Sequence, residues 1–155
     1  MHIELTTSPS AGDAQAISRG LVDFNQRSVE ALESPSEAVG FSVFARDDKG
    51  NVTGGLRATC FWNTLHIELL WVAAESRGEG LGSTLLAQAE RFALEQGCER
   101  ALTETTSWQS KPFYEKTGYT LMATLPDYPK GHACHFMTKR LAEGTTGADA
   151  GPAAA

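Results

Sequence analysis

The spacing of apolar residues changes along this chain, and each change marks an element. Residues 2–6 (HIELT) alternate apolar and polar, which predicts a short first strand. Ser8-Pro9-Ser10 then opens a helix over residues 11–32, where Ala14, Ile17, Leu21, Phe24 and, less regularly, Val29 recur near helical spacing. Ser34-Pro35-Ser36 breaks that pattern. Residues 41–46 and 52–61 read as two strands joined by Asp47-Asp48-Lys49-Gly50-Asn51, a hairpin turn whose Gly and Asn tolerate positive φ. Gly54-Gly55 inside the second strand predicts a bulge or a close backbone approach.

Residues 65–73 (LHIELLWVA) form the most apolar strand. Regular alternation places Leu65, Ile67, Leu69 and Trp71 on one face and His66, Glu68, Leu70 and Val72 on the other. A glycine-rich turn follows, then an amphipathic helix with Leu81, Leu85, Leu86, Ala89, Phe92 and Ala93 on one stripe, ending at Gly97. Beyond it the pattern predicts a strand over 101–106, a short helix over 111–116 closed by Gly118, and strands over 119–125 and 135–141. The whole is an α/β chain: one mixed sheet with helices on its faces.

Composition narrows the possibilities. A chain of 155 residues, 41% hydrophobic and 21% charged, has the makings of one ordinary domain with a real core. We assign that domain to residues 1–141; residues 142–155 (AEGTTGADAGPAAA) are too small and polar to bury anything and read as a disordered tail. A formal net charge of −6 argues against general binding to nucleic acid, which needs a basic surface. No apolar run approaches the ~20 residues that span a bilayer, and the N-terminus lacks a signal-peptide pattern. Cys60, Cys98 and Cys134 are odd in number and form no CxxC pair, so a reducing cytoplasm is the expected setting. His132, Cys134 and His135 match no standard zinc spacing, and no metal is expected.

The candidate chemistry sits in LLWVAAESRGEGLGSTLLAQAERFA, a strand running through RGEGLG into a helix. Glycines let a ligand approach the main chain, and the first helical turn adds unpaired N–H groups at the positive end of the helix dipole, a phosphate-binding arrangement to which Arg77 adds charge. A P-loop would need a Lys that is absent, and Gly78, Gly80 and Gly82 are spaced G-x-G-x-G, with Ser83 where a dinucleotide fingerprint needs its last Gly. The spacing R-x-x-G-x-G fits as Arg77, Gly80 and Gly82.

With SKPFYEKTGYTLM downstream, these residues resemble the GNAT superfamily of acyl-coenzyme A-dependent N-acetyltransferases, over roughly residues 2–141. The resemblance implies a mostly antiparallel sheet that splays open at the strand before the glycine turn and receives acetyl-CoA there as co-substrate. It implies that main-chain groups of Trp71 and Val72 pair with the pantetheine arm, that amides of Arg77, Gly78, Glu79, Gly80, Leu81, Gly82 and Ser83 hold the pyrophosphate, and that Tyr114 protonates the leaving thiolate. Many relatives place Asn near position 107; here it is Ser107. Relatives are often dimers, so a homodimer is possible.

The reaction needs an unprotonated amine, hence a base, and a donor for the carbonyl oxygen, which the strand amide near Val72 can supply. Glu68 is the candidate base and His66 the alternative, both on the face that regular alternation shares with Val72. Trp62 and Trp108 are expected to flank the cleft, and Lys111 is a possible helper for phosphate. The acceptor pocket is expected from residues 24–35 and 126–135. A small-molecule primary amine is the leading acceptor; a protein amine, or an acyl-CoA-binding domain without catalysis, stands as the alternative.

Overall fold

The computed structural model describes residues 1–141, so the tail expected at 142–155 lies outside the described residues. The described residues divide into two units, Met1–Ala38 and those from Val39 to Leu141. The first is built on α1 (Ala11–Ser28). The Ser10 hydroxyl accepts from the Asp13 amide at 3.1 Å, satisfying one of the N–H groups that a helix start leaves unpaired. The helix stops short of the expected Leu32. Val29 turns extended at φ −130° and Ala31 takes φ 56°, a left-handed value through which no right-handed helix runs. Residues 2–6 form no strand. Alternation alone makes no sheet: a strand also needs a neighbouring edge for its N–H and C=O groups, and these residues pair with none among the described residues.

The second unit is a six-stranded sheet of β1 (Val39–Arg46), β2 (Val52–Phe61), β3 (Thr64–Val72), β4 (Arg100–Thr106), β5 (Thr120–Pro126) and β6 (Ala133–Arg140), in the order β1-β2-β3-β4-β6-β5. Every pairing is antiparallel except β3 with β4, whose crossover carries α2 (Leu81–Glu95). A short α3 (Lys111–Lys116) follows β4. Gly97 at φ 83° and Gly118 at φ 94° take the left-handed conformation that ends α2 and α3 where expected. Leu85, Leu86, Ala89 and Ala93 bury the stripe of α2 against Leu56, Ala58, Leu65 and Ile67. Each buried leucine contributes about 1.5–3 kcal/mol. At the far end Glu90 accepts from the Tyr119 hydroxyl (3.0 Å) and pairs with Lys139 (2.7 Å), tying α2 to β6.

Two irregularities shape β3 and its surroundings. The β1–β2 register slips beside Gly54, leaving Thr53 unmatched, and a Cβ on Gly54 would stand 3.2 Å from Leu85 Cδ1 and from the Trp71 carbonyl. The expected bulge and the expected close approach both occur there. The second slip lies between β2 and β3: Arg57 faces Leu69 and Ala58 faces Ile67, so Glu68 is an extra residue. One inserted residue inverts the alternation beyond it. Leu65 and Ile67 are buried, yet Leu69 and Trp71 are more than half exposed, while Leu70 and Val72 turn into the core beneath α2. This corrects the face assignment. Glu68 points with His66 and Leu69 to the side away from α2, opposite Val72.

The bulge also positions a gap. Parallel pairing of β3 with β4 runs from Thr64/Arg100 to Ile67/Thr103 and stops one residue before Glu68. A bulge bends its strand, so β3 leaves β4 there and the sheet opens.

Candidate active site

The turn after β3 is made of main chain. Ala73 and Ala74 accept from the amides of Ser76 and Arg77, closing a single 3₁₀ turn. Gly78 (φ 86°) and Gly80 (φ 79°) adopt left-handed angles that side chains resist. Gly80 is the N-cap of α2, and its carbonyl accepts from the Thr84 amide at 3.0 Å. The amides of Gly78 through Ser83 have no internal acceptor among the described residues. They are six donors beside a helix N-terminus, and an anion is the ligand they suit. Gly82 lies under Phe113: a Cβ there would meet its ring at 3.3 Å.

These residues wall a cavity of about 630 Å³ that also takes in Leu70, Trp71, Val72, Trp108, Gln109, Ser110 and Phe113. Arg77 lines it while its Nε donates to the Val72 carbonyl at 3.0 Å. Glu79 does not line it. A hollow of about 390 Å³ along α2, with Gln88 and Arg91, shares Ser83 with it.

In the gap of the sheet lies a smaller cavity, about 160 Å³, walled by Glu68, Leu69, Leu70, Thr103, Glu104, Thr105, Gln109, Ser110 and Tyr114. It shares Leu70, Gln109 and Ser110 with the large cavity. On its other side it shares Glu68, Thr103 and Glu104 with a pocket of about 380 Å³ lined also by His66, Leu102, Met122 and Phe136. The three spaces therefore run in series through the opening between β3 and β4.

Tyr114 is 5% exposed, edge-on to Phe113 and Tyr119. Burial pushes its phenol above the ordinary value of 10.0, against a smaller opposing effect of a hydrogen bond with Thr103, so it keeps its proton at neutral pH. Glu68 is held differently. Thr59 donates to Oε1 and Arg57 Nε to Oε2, each at 2.7 Å. The Thr59 bond, then the Arg57 bond, hold its carboxyl below 4.5 despite partial desolvation. It is a carboxylate already satisfied from two sides.

Other expected residues fall elsewhere. The Ser107 hydroxyl accepts from the Ala133 amide (3.3 Å) and contacts His132 Nδ1 (3.4 Å), which keeps Ser107 out of all three cavities; Gln109 and Ser110 line them instead. Trp108 lines the large cavity edge-on to His132, whereas Trp62 stacks on Phe61 at the β2–β3 turn. Lys111 pairs with Glu115 at 2.9 Å. Loop 126–132 contributes nothing to the three cavities, whose outer pocket is walled by strands. Among the described residues no cluster of His, Cys, Asp and Glu could hold a metal ion, and no helix is long and apolar enough to cross a membrane. Glu104 was not singled out from the sequence.

Comparison with known proteins gives this geometry a context. The family model described as Acetyltransferase (GNAT) family matches residues 13–119. A blasticidin-S acetyltransferase of Streptomyces morookaense is 43% identical over 102 residues, covering 65% of this chain and 75% of that protein. The crystal structure of an acetyltransferase from Bacillus cereus superposes with a TM-score of 0.80 at 32% identity, over 90% of this chain and 97% of that one. A Bacillus anthracis protein described as a streptothricin acetyltransferase, solved with acetyl-CoA, has a TM-score of 0.59 over 65% of this chain and 62% of its own; at 21% identity the likeness is one of fold.

Proposed function

Since this chain belongs to the GNAT acetyltransferase family, and is thus an acyl-CoA-dependent N-acyltransferase that uses acetyl-CoA, we propose that its acceptor is the primary amine of a small molecule, an antibiotic of the blasticidin-S kind among the first to try. The observation that carries the reading is the series of three joined cavities, with five unpaired amides at one end and carboxylates at the other.

In this reading the amides of Gly78 and of Gly80 through Ser83 hold the pyrophosphate, and Arg77 supplies charge at the same wall. The edge of β3 over Leu70, Trp71 and Val72, which β4 leaves unpaired, takes the pantetheine arm as an added strand would be taken, in place of the Arg77 Nε that the Val72 carbonyl accepts from in its absence. The bound thioester presents an activated carbonyl that an unprotonated amine can attack. The Val72 amide faces the carbonyl oxygen as charge gathers there. Tyr114, protonated in its buried seat, donates a hydrogen bond to the departing sulfur. With an ordinary thiol near 8.5 and this phenol above 10, stabilising the thiolate by that bond is easier than surrendering the proton outright. Glu68 receives the proton of the amine through water. Its low basicity suits a nitrogen that turns strongly acidic once it bonds to carbon, and His66 lies on the same face as a relay.

Thiol release from acetyl-CoA, measured over blasticidin S, other small amines and lysine peptides, tests the reading. Turnover with small amines and none with peptides is expected. Acetyl-CoA binding in calorimetry without thiol release for any amine would overturn it in favour of a binding domain; turnover confined to peptides would move the acceptor to proteins.

A further inference from the structure

The two carboxylates at the gap are balanced differently. Glu68 already has a cation in Arg57, 2.7 Å away. Glu104, across the gap on β4, lines both the gap cavity and the outer pocket but forms no ion pair among the described residues. Its side-chain partner is the Cys134 thiol at 3.9 Å, a weak donor. Burial first, and the Glu104 charge second, push that thiol's pKa up, so it stays neutral and offsets none of the charge. Two residues along the same face of β4, the Thr106 hydroxyl is buried with no hydrogen-bond partner among the described residues.

An unbalanced carboxylate in a concave wall makes a local negative potential that a ligand cation can satisfy. The reacting nitrogen is the wrong group to place there. A bare carboxylate raises the pKa of a neighbouring ammonium and keeps it in the form that cannot attack. Arg57 weakens that effect at Glu68, whereas no ion-pair partner among the described residues weakens it at Glu104. The rest of the outer pocket is apolar where Leu102, Met122 and Phe136 meet it, and about 380 Å³ is at the lower end of the ~300–1,000 Å³ usual for small-molecule sites.

We propose that Glu104 determines specificity: its carboxylate binds a second cationic group of the acceptor, distinct from the amine that is acetylated, so the enzyme selects small dicationic amines with an apolar face to lie on Leu102, Met122 and Phe136. The assignment rests on the acetyl-transfer reading of the same site.

A matched pair of probes tests it: p-xylylenediamine carries a second, equivalent aminomethyl group where 4-methylbenzylamine carries a methyl, so after division by the statistical factor of two they differ by the second charge. The wild-type enzyme should prefer the diamine, and Glu104→Gln should lower the diamine-to-monoamine ratio of kcat/KM about tenfold, mainly through KM. Calorimetric binding of both probes to both proteins reads the same ratio without catalysis. Diamine binding that depends on Glu104 but yields no thiol release upholds this inference and sinks the transfer reading. Turnover by the wild type with a ratio that Glu104→Gln leaves in place does the reverse, as does a wild type without preference for the diamine.

Discussion

The glycine turn and the outer pocket stand at opposite ends of one line of cavities, and they are built from different parts of the polypeptide. The turn is main chain: left-handed glycines and the first amides of α2 leave N–H groups without an internal acceptor among the described residues. The pocket is side chain, with His66 and Glu68 from β3, Glu104 from β4, Met122 from β5 and Phe136 from β6. A surface of amides recognises a generic feature, the oxygens of a phosphate, and cannot be retuned without moving the backbone. A surface of side chains from four strands can be retuned one residue at a time. On the proposed reading, the division lets acceptor choice change while the grip on the coenzyme stays constant.

Tyr114, where the two halves meet, offers the largest effect. Tyr114→Phe should cut kcat by about 10²–10³-fold, the usual worth of one preorganised hydrogen bond to charge that develops in the transition state, while calorimetric affinity for acetyl-CoA stays near wild type. An unchanged kcat would remove the hydroxyl from the chemistry. Gly80→Val attacks the main-chain half instead. A β-branched residue at φ 79° costs about 1–2 kcal/mol and re-aims the amides beside it. Affinity for acetyl-CoA should fall about 10²-fold and Tm by a few degrees, at about 2–4 °C per kcal/mol. Retained affinity would mean that the amides are not the grip.

The same contrast governs what the amino-acid pattern revealed. The turn, α2 and α3 were legible because their signals are local: glycines at fixed spacing, a helical stripe from Leu81 to Ala93, and Gly118 after Lys116. The mixed sheet followed from the order of elements, and its mostly antiparallel pairing from the family resemblance. The bulge at Glu68 left no mark. Leu69 and Leu70, like Trp71 and Val72, are both apolar, so a slip by one residue creates no polar conflict to betray it. Glu104 alternates with Thr103 and Thr105 like any outward strand residue, and gains its place only because β3 departs at Ile67. Ser107 was read from a family position, yet contacts with Ala133 and His132, distant in sequence, hold it aside. Residues 2–6 carry a strand's alternation without a strand's neighbour.

Gly54 tests whether the two halves share a support. An added methyl would press on Leu85 of α2 and on the Trp71 carbonyl at the rim of the large cavity, both 3.2 Å away. The leucine can shift; the carbonyl belongs to a paired strand and gives less. Gly54→Ala should destabilise by about 1–3 kcal/mol in urea unfolding and weaken acetyl-CoA binding more than it alters the diamine ratio. An equal effect on both would mean that the gap moves as one body.

The smallest effect belongs to Arg57, and it has a sign. Glu68 titrates below 4.5, chiefly through Thr59 and then through Arg57, so its carboxylate stabilises the fold at pH values above the unfolded pKa, and that contribution is lost as pH falls through the folded one. Arg57→Ala should raise the Glu68 pKa toward 4.5 and destabilise the protein at pH 7. Because the pair is exposed to solvent, the loss should be under about 1 kcal/mol, and it should shrink toward pH 3 in urea titrations. In catalysis the variant leaves two unbalanced carboxylates facing the outer pocket, so the preference for a diamine should widen and the acid limb of kcat should move upward in pH. A limb that stays fixed while the Glu68 carboxyl resonance shifts would show that the reaction does not pass its proton through Glu68, leaving that carboxylate a purely electrostatic neighbour of the amine.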